Sequence, residues 1–579
     1  MAAPTFAVAD YVVLVGFLLL SASIGVYFAW ADRRRQSNRT FLTANKQLGW
    51  FPVSLSMMAS FLSSIAILGL PAEVFLHGST LWINVLSAIV AISLAAVVFM
   101  PIYYKMDITS INQYLELRFK SAVVKDLASG IFILATLLYT GVVLYGPSLA
   151  LGAVTGIPVW TSILLNGLVC TFYTTIGGIK AVVWTDVVQM VLIFVGYIMV
   201  IISGVYHVGG ISKVWEVAEK GGRITFGTLI VSPYSRRRSE SRRRCVVTMW
   251  CVTACSGSSA MSDDFGISGN SLEMAVLLNV PGVSITLLLS VITGLVLFAV
   301  YSDCDPRLTG DIKKADQLMP YIVQDLLRDY PGLSGTLVAS VFSGSLSNVI
   351  TSIFGTVCLE SQRPRLKPLK ISDDERRAIL DDRTHVRHLS DPKYFLKLHG
   401  TSLCTSQASN SLVGAMTGPL LATFFLGVFF PFCKAKGVTA GALMGVALAS
   451  WHAMGSIAYP RASYGLPTST AGCVDFNQTL TSGSLEAPPM PNGILMFYHI
   501  SYLWTGCMGF LSAVFVGIVV SLVFERSDKA QVDPEHICPL VRKLMGNYNP
   551  SKTHKKSENA HTVRHLMQQV VSFRMQNHL

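Results

Sequence analysis

Charged residues are scarce in this sequence of 579 residues. Only 13% are Asp, Glu, Lys or Arg, whereas soluble globular chains carry about 25%. The scarcity is concentrated in long uncharged stretches, most of which reach the ~20 apolar residues that a bilayer-spanning helix needs. This pattern excludes a soluble protein with buried helices and predicts an all-α polytopic membrane protein. The stretches are residues 51–72, 78–104, 127–179, 187–206, 274–302, 331–359, 411–433, 437–460 and 492–524.

Motifs of zinc, redox and catalytic sites are also lacking. The eleven cysteines include no Cys-x-x-Cys pair, so neither a zinc centre nor a redox site is indicated. Cys304 and Cys473 lie in predicted outer loops and could form a disulfide. No HExxH or GxSxG motif and no paired acidic residues occur within a span. An intramembrane enzyme is therefore not expected, and no catalytic residue is predicted.

The positions of the basic residues indicate the orientation of the chain in the membrane and do not indicate a nucleic-acid-binding surface. The net charge of +12 comes from residues beside the spans, as in cytoplasmic loops. Arg33–Arg35 follows the first predicted span, Tyr11–Trp30, which is too long for a signal peptide. The N-terminus is therefore expected outside, and residues 526–579 form a basic cytoplasmic tail. Asn477, in an Asn-Gln-Thr triplet of an outer loop, is a predicted glycosylation acceptor.

The predicted spans do not add up to a consistent topology. About eleven are counted, with a turn near Gly156–Pro158 that divides 127–179 and a last span at 495–524. The loop charges, however, require one more span between 206 and 274 and another between 359 and 411. Either the sequence lacks two helices or the topology is unusual. We expect a transmembrane domain over 1–525, with anomalous segments at 228–273 and 360–409.

Polar residues interrupt one span at membrane depth. The segment Ser54–Gly78 contains Ser60, Ser63, Ser64, Gly69 and Pro71. Non-helical backbone at this depth is tolerated only where it is buried or lines a cavity. Its free carbonyl and amide groups are the kind that hold Na⁺ and an anion in transporters. A serine-rich packing face with a proline kink is the alternative interpretation.

Two other segments carry polar groups that could serve the same site. Gly344, Ser347 and Asn348 share one helical face in the span 341–355. Their hydroxyl and carbonyl oxygens suit a hard cation. The segment Tyr173–Gln189 contains a glycine turn, and its Asp186 begins the following span. Asp186 either caps that helix or lies on an ion exit path.

The motifs together resemble the sodium:solute symporter family, on the branch of sodium-coupled monocarboxylate and multivitamin transporters. The resemblance covers about 10–225, 275–358 and 410–525. It is carried by GGIKAVVWTDVVQ at 177–189, MMASFLSSIAILGLPAE at 57–73, SINQYLELRF at 110–119, SGSLS at 343–347, GPL at 418–420 and KGVTAGA at 436–442.

The resemblance implies a LeuT-type inverted-repeat helical bundle, in which the sixth and ninth core helices are missing from this chain. It also implies Na⁺ as coupling ion and no other metal. In such proteins Na⁺ lies between the first and eighth core helices. By position, backbone oxygens would come from Ala59, Leu62 and Gly344, and side-chain oxygens from Ser347 and Asn348. Asn348 departs from the family pattern, which usually has a second hydroxyl there, although it still offers an oxygen.

The resemblance further implies alternating-access symport of a small organic anion across the plasma membrane. Asp186 matches a family aspartate near the inner sodium exit. The substrate pocket would include Phe61, Ser63 and Ala66. Phe61 and Ala66 are apolar where sugar-carrying relatives have polar groups, which argues against a sugar. Iodide transport, a channel or sensor on the same scaffold, and a truncated non-transporting product remain open, as does the oligomeric state.

Overall fold

A computed structural model describes residues 6–31, 48–106, 111–224, 269–312, 314–327, 330–361, 405–459, 466–473, 481–482, 493–524 and 533–544. Asn477 and most of the two anomalous segments lie outside these residues. The described part is helical apart from one short strand pair. The helices are α1 (Val8–Ala31), α2 (Trp50–Phe61), α3 (Ser64–His77), α4 (Ile83–Leu94), α5 (Met100–Lys105), α6 (Ile111–Phe119), α7 (Ala122–Thr155), α8 (Val159–Val208), α9 (Ile211–Lys220), α10 (Gly269–Val300), α11 (Leu318–Leu326), α12 (Leu333–Ser361), α13 (Thr405–Phe429), α14 (Ala435–Ala458), α15 (Ile494–Tyr498), α16 (Thr505–Phe524) and α17 (Pro539–Leu544).

Short elements connect some of these helices. A π-helical turn, Ala95–Phe99, joins α4 to α5, so that the helical path is continuous from the 3₁₀ turn at Ser79–Trp82 to Lys105. Strands β1 (Thr468–Ser469) and β2 (Thr481–Ser482) pair antiparallel. Further 3₁₀ turns lie at Ala315–Gln317, Tyr502–Trp504 and Pro534–His536.

Apolar surface is buried in two main clusters. The larger one is formed by side chains from α1–α4 and α7–α12. The smaller one lies where α6 and the first half of α7 meet α13 and α14. Helix α16 packs along α13 and α14. The functional segments at Ser54–Gly78, Tyr173–Gln189 and 341–355 all belong to helices of the larger cluster.

Eight helices of the described chain are long and apolar enough to cross a membrane, and α2 with α3 forms a further bent pair. Helix α12 also has the length of a span, at 29 residues. The predicted total of eleven spans stays a prediction. The eight are Val8–Ala31, Ser79–Tyr103, Ala122–Gly152, Gly178–Val208, Met274–Val300, Ser409–Phe429, Ala435–Ala458 and Thr505–Phe524.

Both predicted turns are confirmed, and one predicted boundary is wrong. Helix α7 ends at Gly156, which is left-handed (φ 72°). Gly178 has φ 63° and ψ −169° and kinks α8, a conformation that glycine adopts without a Cβ penalty. The predicted last span at 495–524 is too long. The chain there forms the short α15 and then turns before α16, because His499–Ser501 leave the helical path.

The N-terminus of α12 is fixed by a residue of α1. The Asp10 carboxylate accepts hydrogen bonds from the backbone N–H groups of Gly332 and Gly335, both at 2.9 Å. Backbone N–H groups at a helix start have no intrahelical partner, so a carboxylate satisfies them well. Asp10 therefore sets the position of the helix that carries Gly344, Ser347 and Asn348.

A buried arginine organises the end of α3. Arg223 is fully buried, and its guanidinium lies 3.8 Å from the centroid of the Phe298 ring. It donates hydrogen bonds to the carbonyl oxygens of Phe75, Gly221, Leu466 and Pro467. Burial, followed by repulsion from Arg307, lowers the pKa of Arg223 to about 9. The predicted disulfide between Cys304 and Cys473 is confirmed, and it joins the loop after α10 to the segment of β1.

Candidate functional site

The interruption predicted in the segment Ser54–Gly78 is a true break of the helix. Leu62 and Ser63 have extended backbone angles between α2 and α3, and the two helix axes differ by 53°. The Ser63 hydroxyl accepts a hydrogen bond from the Ile65 amide at 3.2 Å and so caps α3. Because the helical pattern stops here, backbone groups at membrane depth become available to other partners.

Helix α12 packs directly against this break. A Cβ atom on Gly344 would lie 3.1 Å from the Ser63 carbonyl carbon and from the Ser64 nitrogen, so any larger residue here would push α12 and the break apart by a few tenths of an ångström. One turn later, the Asn348 amide nitrogen donates hydrogen bonds to the Leu62 carbonyl at 3.1 Å and to the Gly344 carbonyl at 2.8 Å. Three residues predicted for the sodium site, Leu62, Gly344 and Asn348, therefore meet.

Asp186 lies where α2, α8 and α12 come together. It is fully buried, accepts a hydrogen bond from the Ser56 hydroxyl and interacts with the Ser347 hydroxyl. It is more than two turns past the kink at Gly178. Asp186 therefore does not cap a helix N-terminus, and that interpretation is wrong.

Ala59 lies one turn before the break and is also fully buried. Its carbonyl oxygen accepts a hydrogen bond from the Leu62 amide at 3.2 Å. The oxygen points toward the break as part of the last turn of α2. A carbonyl oxygen has a second lone pair that can bind another partner.

The residues predicted to contact substrate flank the break. Phe61 and Ala66 are partly buried on either side of it. Ser63 is buried and hydrogen-bonded to Tyr139 of α7. The Tyr197 hydroxyl donates to the Ala66 carbonyl at 2.9 Å. Tyr139 and Tyr197 were not predicted as site residues from the sequence. The only feature that could have indicated them is a hydroxyl group within an uncharged span.

The buried carboxylate of Glu73 was also missed. Glu73 of α3 is 1% exposed, and Tyr502 donates a hydrogen bond to it at 3.2 Å. The Gln407 side chain of α13 lies 3.4 Å from the same carboxylate. These contacts join α3 to α13 and to the turn before α16, at a distance of several turns from the break.

Comparison with known proteins agrees with this geometry. The Na⁺-coupled sialic acid symporter, solved in a substrate-bound outward-open state, is similar with a TM-score of 0.69, covering 90% of this chain and 98% of that one. The two sequences are 21% identical, so the similarity concerns the fold alone. The expected LeuT-type helical bundle is thereby confirmed. By its fold the chain is a multi-span helical membrane protein.

Similarity in sequence defines the family. The model of the sodium:solute symporter family matches residues 41–358. Human sodium-coupled monocarboxylate transporter 2 is 36% identical over 575 residues, which cover 93% of this chain and 88% of that protein. The human sodium/iodide cotransporter is 34% identical over 578 residues, covering 92% and 86%. The chain belongs to the sodium:solute symporter family, whose members are transporters and not enzymes.

Proposed function

We propose that this protein couples the inward movement of Na⁺ to the uptake of a small organic anion, by alternating access at the plasma membrane. The observation that carries the proposal is the helix break at Leu62–Ser63 with Gly344 of α12 packed against it. Discontinuous helices at mid-membrane are the usual sites of coupling ions and substrates in secondary transporters. The N-terminus would lie outside the cell and the C-terminus in the cytoplasm.

The proposed sodium site is built from backbone and neutral side chains. Its oxygens would be the carbonyls of Ala59, Leu62 and Gly344 and the hydroxyl of Ser347. Asn348 would add its side-chain oxygen. Oxygen ligands suit a hard cation. Asp186 contacts Ser347, so that its carboxylate, when ionised, would place a negative charge beside the site, which supports its proposed role on the inner exit path.

A small anion suits the proposed substrate pocket. Phe61 and Ala66 present apolar surface, whereas Ser63 and the hydroxyl of Tyr139 supply polar groups beside the break. The sequence places no Lys or Arg inside a predicted span, so a carboxylate would depend on the amides of the broken helix and on Na⁺. A monocarboxylate, or a vitamin such as biotin or pantothenate, combines an acid group with an apolar remainder.

The driving force depends on how many ions move. One Na⁺ with one monovalent anion carries no net charge, so the membrane potential contributes nothing. A tenfold Na⁺ gradient then supports about a tenfold substrate gradient, since each factor of ten is about 1.4 kcal/mol. A second Na⁺ would add a further tenfold and about 2.3 kcal/mol per 100 mV. A substrate-induced current would therefore reveal a second ion.

Uptake of a labelled monocarboxylate into cells that express the chain tests the proposal. We expect uptake in sodium medium and almost none in choline medium. Equal uptake in both media would contradict symport, and equilibration without accumulation would indicate a channel. Labelled iodide is measured in parallel, because the iodide cotransporter is also a relative. No flux with any solute would favour a truncated, non-transporting product, which the anomalous segments 228–273 and 360–409 suggested.

A further inference from the structure

Asn348 occupies an unusual place at the proposed sodium site. Its amide nitrogen bridges the carbonyl oxygens of Leu62 and Gly344, at 3.1 Å and 2.8 Å. Only the NH₂ end of the side chain can do this, since its oxygen has no proton to donate. One carbonyl belongs to the break and the other to α12, so they lie on opposite sides of the site. A neutral donor of this chain therefore binds the same two oxygens that we assign to Na⁺.

We propose that the Asn348 amide is an internal competitor of Na⁺, which the ion must displace in order to bind. The proposal rests on the symport function proposed above and deepens it. It assigns to one side chain a control over sodium affinity. Asn348 would bind Na⁺ through its oxygen only after the amide has turned over and released both carbonyls.

The competition follows from the number of lone pairs. A carbonyl oxygen has two, and in an α-helix one of them accepts from the amide four residues later. At the Gly344 carbonyl, the second lone pair accepts from the Asn348 side chain. Leu62 lies outside both α2 and α3, and its carbonyl also accepts from the same NH₂ group. The amide hydrogens carry partial positive charge. They therefore both occupy these oxygens and repel a cation that approaches them.

The bridge also joins the two elements between which the ion would lie. It connects the break to α12 in the way that a bound cation would, through the same carbonyls. A hydroxyl at this position has a single hydrogen, so it cannot donate to both oxygens. The proposal therefore predicts that a shorter hydroxyl side chain increases sodium affinity, although it removes a potential ligand.

Sodium binding to the purified full-length protein tests this directly. Binding of radioactive Na⁺ is measured by a proximity assay for the wild type and for Asn348→Ser, and Na⁺-dependent uptake is measured in cells. We expect the half-saturating Na⁺ concentration of Asn348→Ser to be about tenfold lower than that of the wild type, which corresponds to about 1.4 kcal/mol. Asn348→Thr, with the same hydroxyl, should show the same direction.

Asn166→Ser is the matched control. Asn166 is also buried, and its amide donates to α12 at Ser345 (3.1 Å), but it does not touch the break. This variant should bind Na⁺ as the wild type does. Weaker or unchanged binding in Asn348→Ser and Asn348→Thr would overturn the proposal, as would a lack of sodium binding in all the proteins. Tighter Na⁺ binding in Asn348→Ser without substrate uptake in cells would uphold the competition proposal but contradict the proposed symport function.

Discussion

The Asp186 carboxylate on α8 accepts a hydrogen bond from the Ser56 hydroxyl on α2, and both side chains are fully buried. Ser56 lies in the helix that ends at the break, whereas Asp186 also contacts Ser347 on α12. The pair places a carboxylate at the junction of three helices that bound the proposed sodium site. A buried carboxylate attracts a nearby cation much more strongly than an exposed one does.

Asp186→Asn should raise the half-saturating Na⁺ concentration for uptake by about tenfold or more, which corresponds to at least about 1.4 kcal/mol. The amide oxygen can still accept from Ser56, so surface expression should remain near the wild-type level. Ser56→Ala is the control, because it removes the hydrogen bond and keeps the charge. It should change sodium dependence less. An unaltered sodium titration in Asp186→Asn would exclude a role of its charge.

Ser347→Ala should weaken apparent sodium affinity roughly ten- to a hundredfold. A lost ligand to a charged group costs roughly 1.5–3 kcal/mol, and each factor of ten is about 1.4 kcal/mol. Ser343→Ala is matched to it, since Ser343 is buried on the same helix and donates within α12 to Ala339 at 2.9 Å. If the two variants have the same sodium titration at normal expression, Ser347 is not a ligand.

Tyr139→Phe should raise the KM for the anion about two- to tenfold, because a neutral hydrogen bond contributes about 0.5–1.5 kcal/mol. The hydroxyl that is removed bonds to Ser63 at the break. Tyr206→Phe provides the control at a position that is 88% exposed. A change in sodium affinity without a change in KM would place Tyr139 outside the substrate pocket.

The proposed orientation predicts that Cys304, Cys473 and Asn477 face the outside. A membrane-impermeant reductant followed by an impermeant maleimide should label Cys304 and Cys473 on intact cells. Asn477→Gln should remove a glycan-dependent shift in gel mobility. Tags inserted at Arg34 or near Lys555 should become accessible only after permeabilisation. Glycan at an engineered acceptor near Arg34 would reverse the orientation.

The segment before α17, which contains His536, should dock less firmly against Tyr114 of α6 as the pH falls. The Tyr114 hydroxyl donates to the His536 carbonyl at 2.9 Å. Burial lowers the pKa of His536 below its ordinary 6.5, with Arg118 and Lys120 acting in the same direction and Asp533 and Glu535 against it. The docked state thus prefers neutral His536, so its stability is complete above about pH 6.5 and decreases below it.

Hydrogen exchange of residues 533–544, corrected for intrinsic rates and measured about one pH unit above and below 6.5, checks this. Exchange should be faster at the lower pH in the wild type. In His536→Gln the difference should disappear. Equal protection of the wild-type segment at both values would contradict the prediction.

The sequence predicted features that depend on local composition. Ser63 and its polar neighbours in an apolar span indicated the break, and Gly178 indicated the kink. Contacts between distant helices could not be predicted in this way. Ser56 and Asp186, for example, are 130 residues apart, and each of them has many possible partners in the sequence. Asn348 was predicted as an oxygen donor to Na⁺. That its nitrogen faces Leu62 depends on the packing of α12, which no local pattern encodes.

The bond between Cys304 and Cys473 closes a covalent ring of the chain with a sequence separation of 169 residues. The ring includes α11, α12, α13 and α14. A single protease cut anywhere between these cysteines would therefore leave one covalently connected molecule, which would separate into two fragments only after reduction. Limited proteolysis read on reducing and non-reducing gels can thus assign each cleavage site to the inside or the outside of the ring.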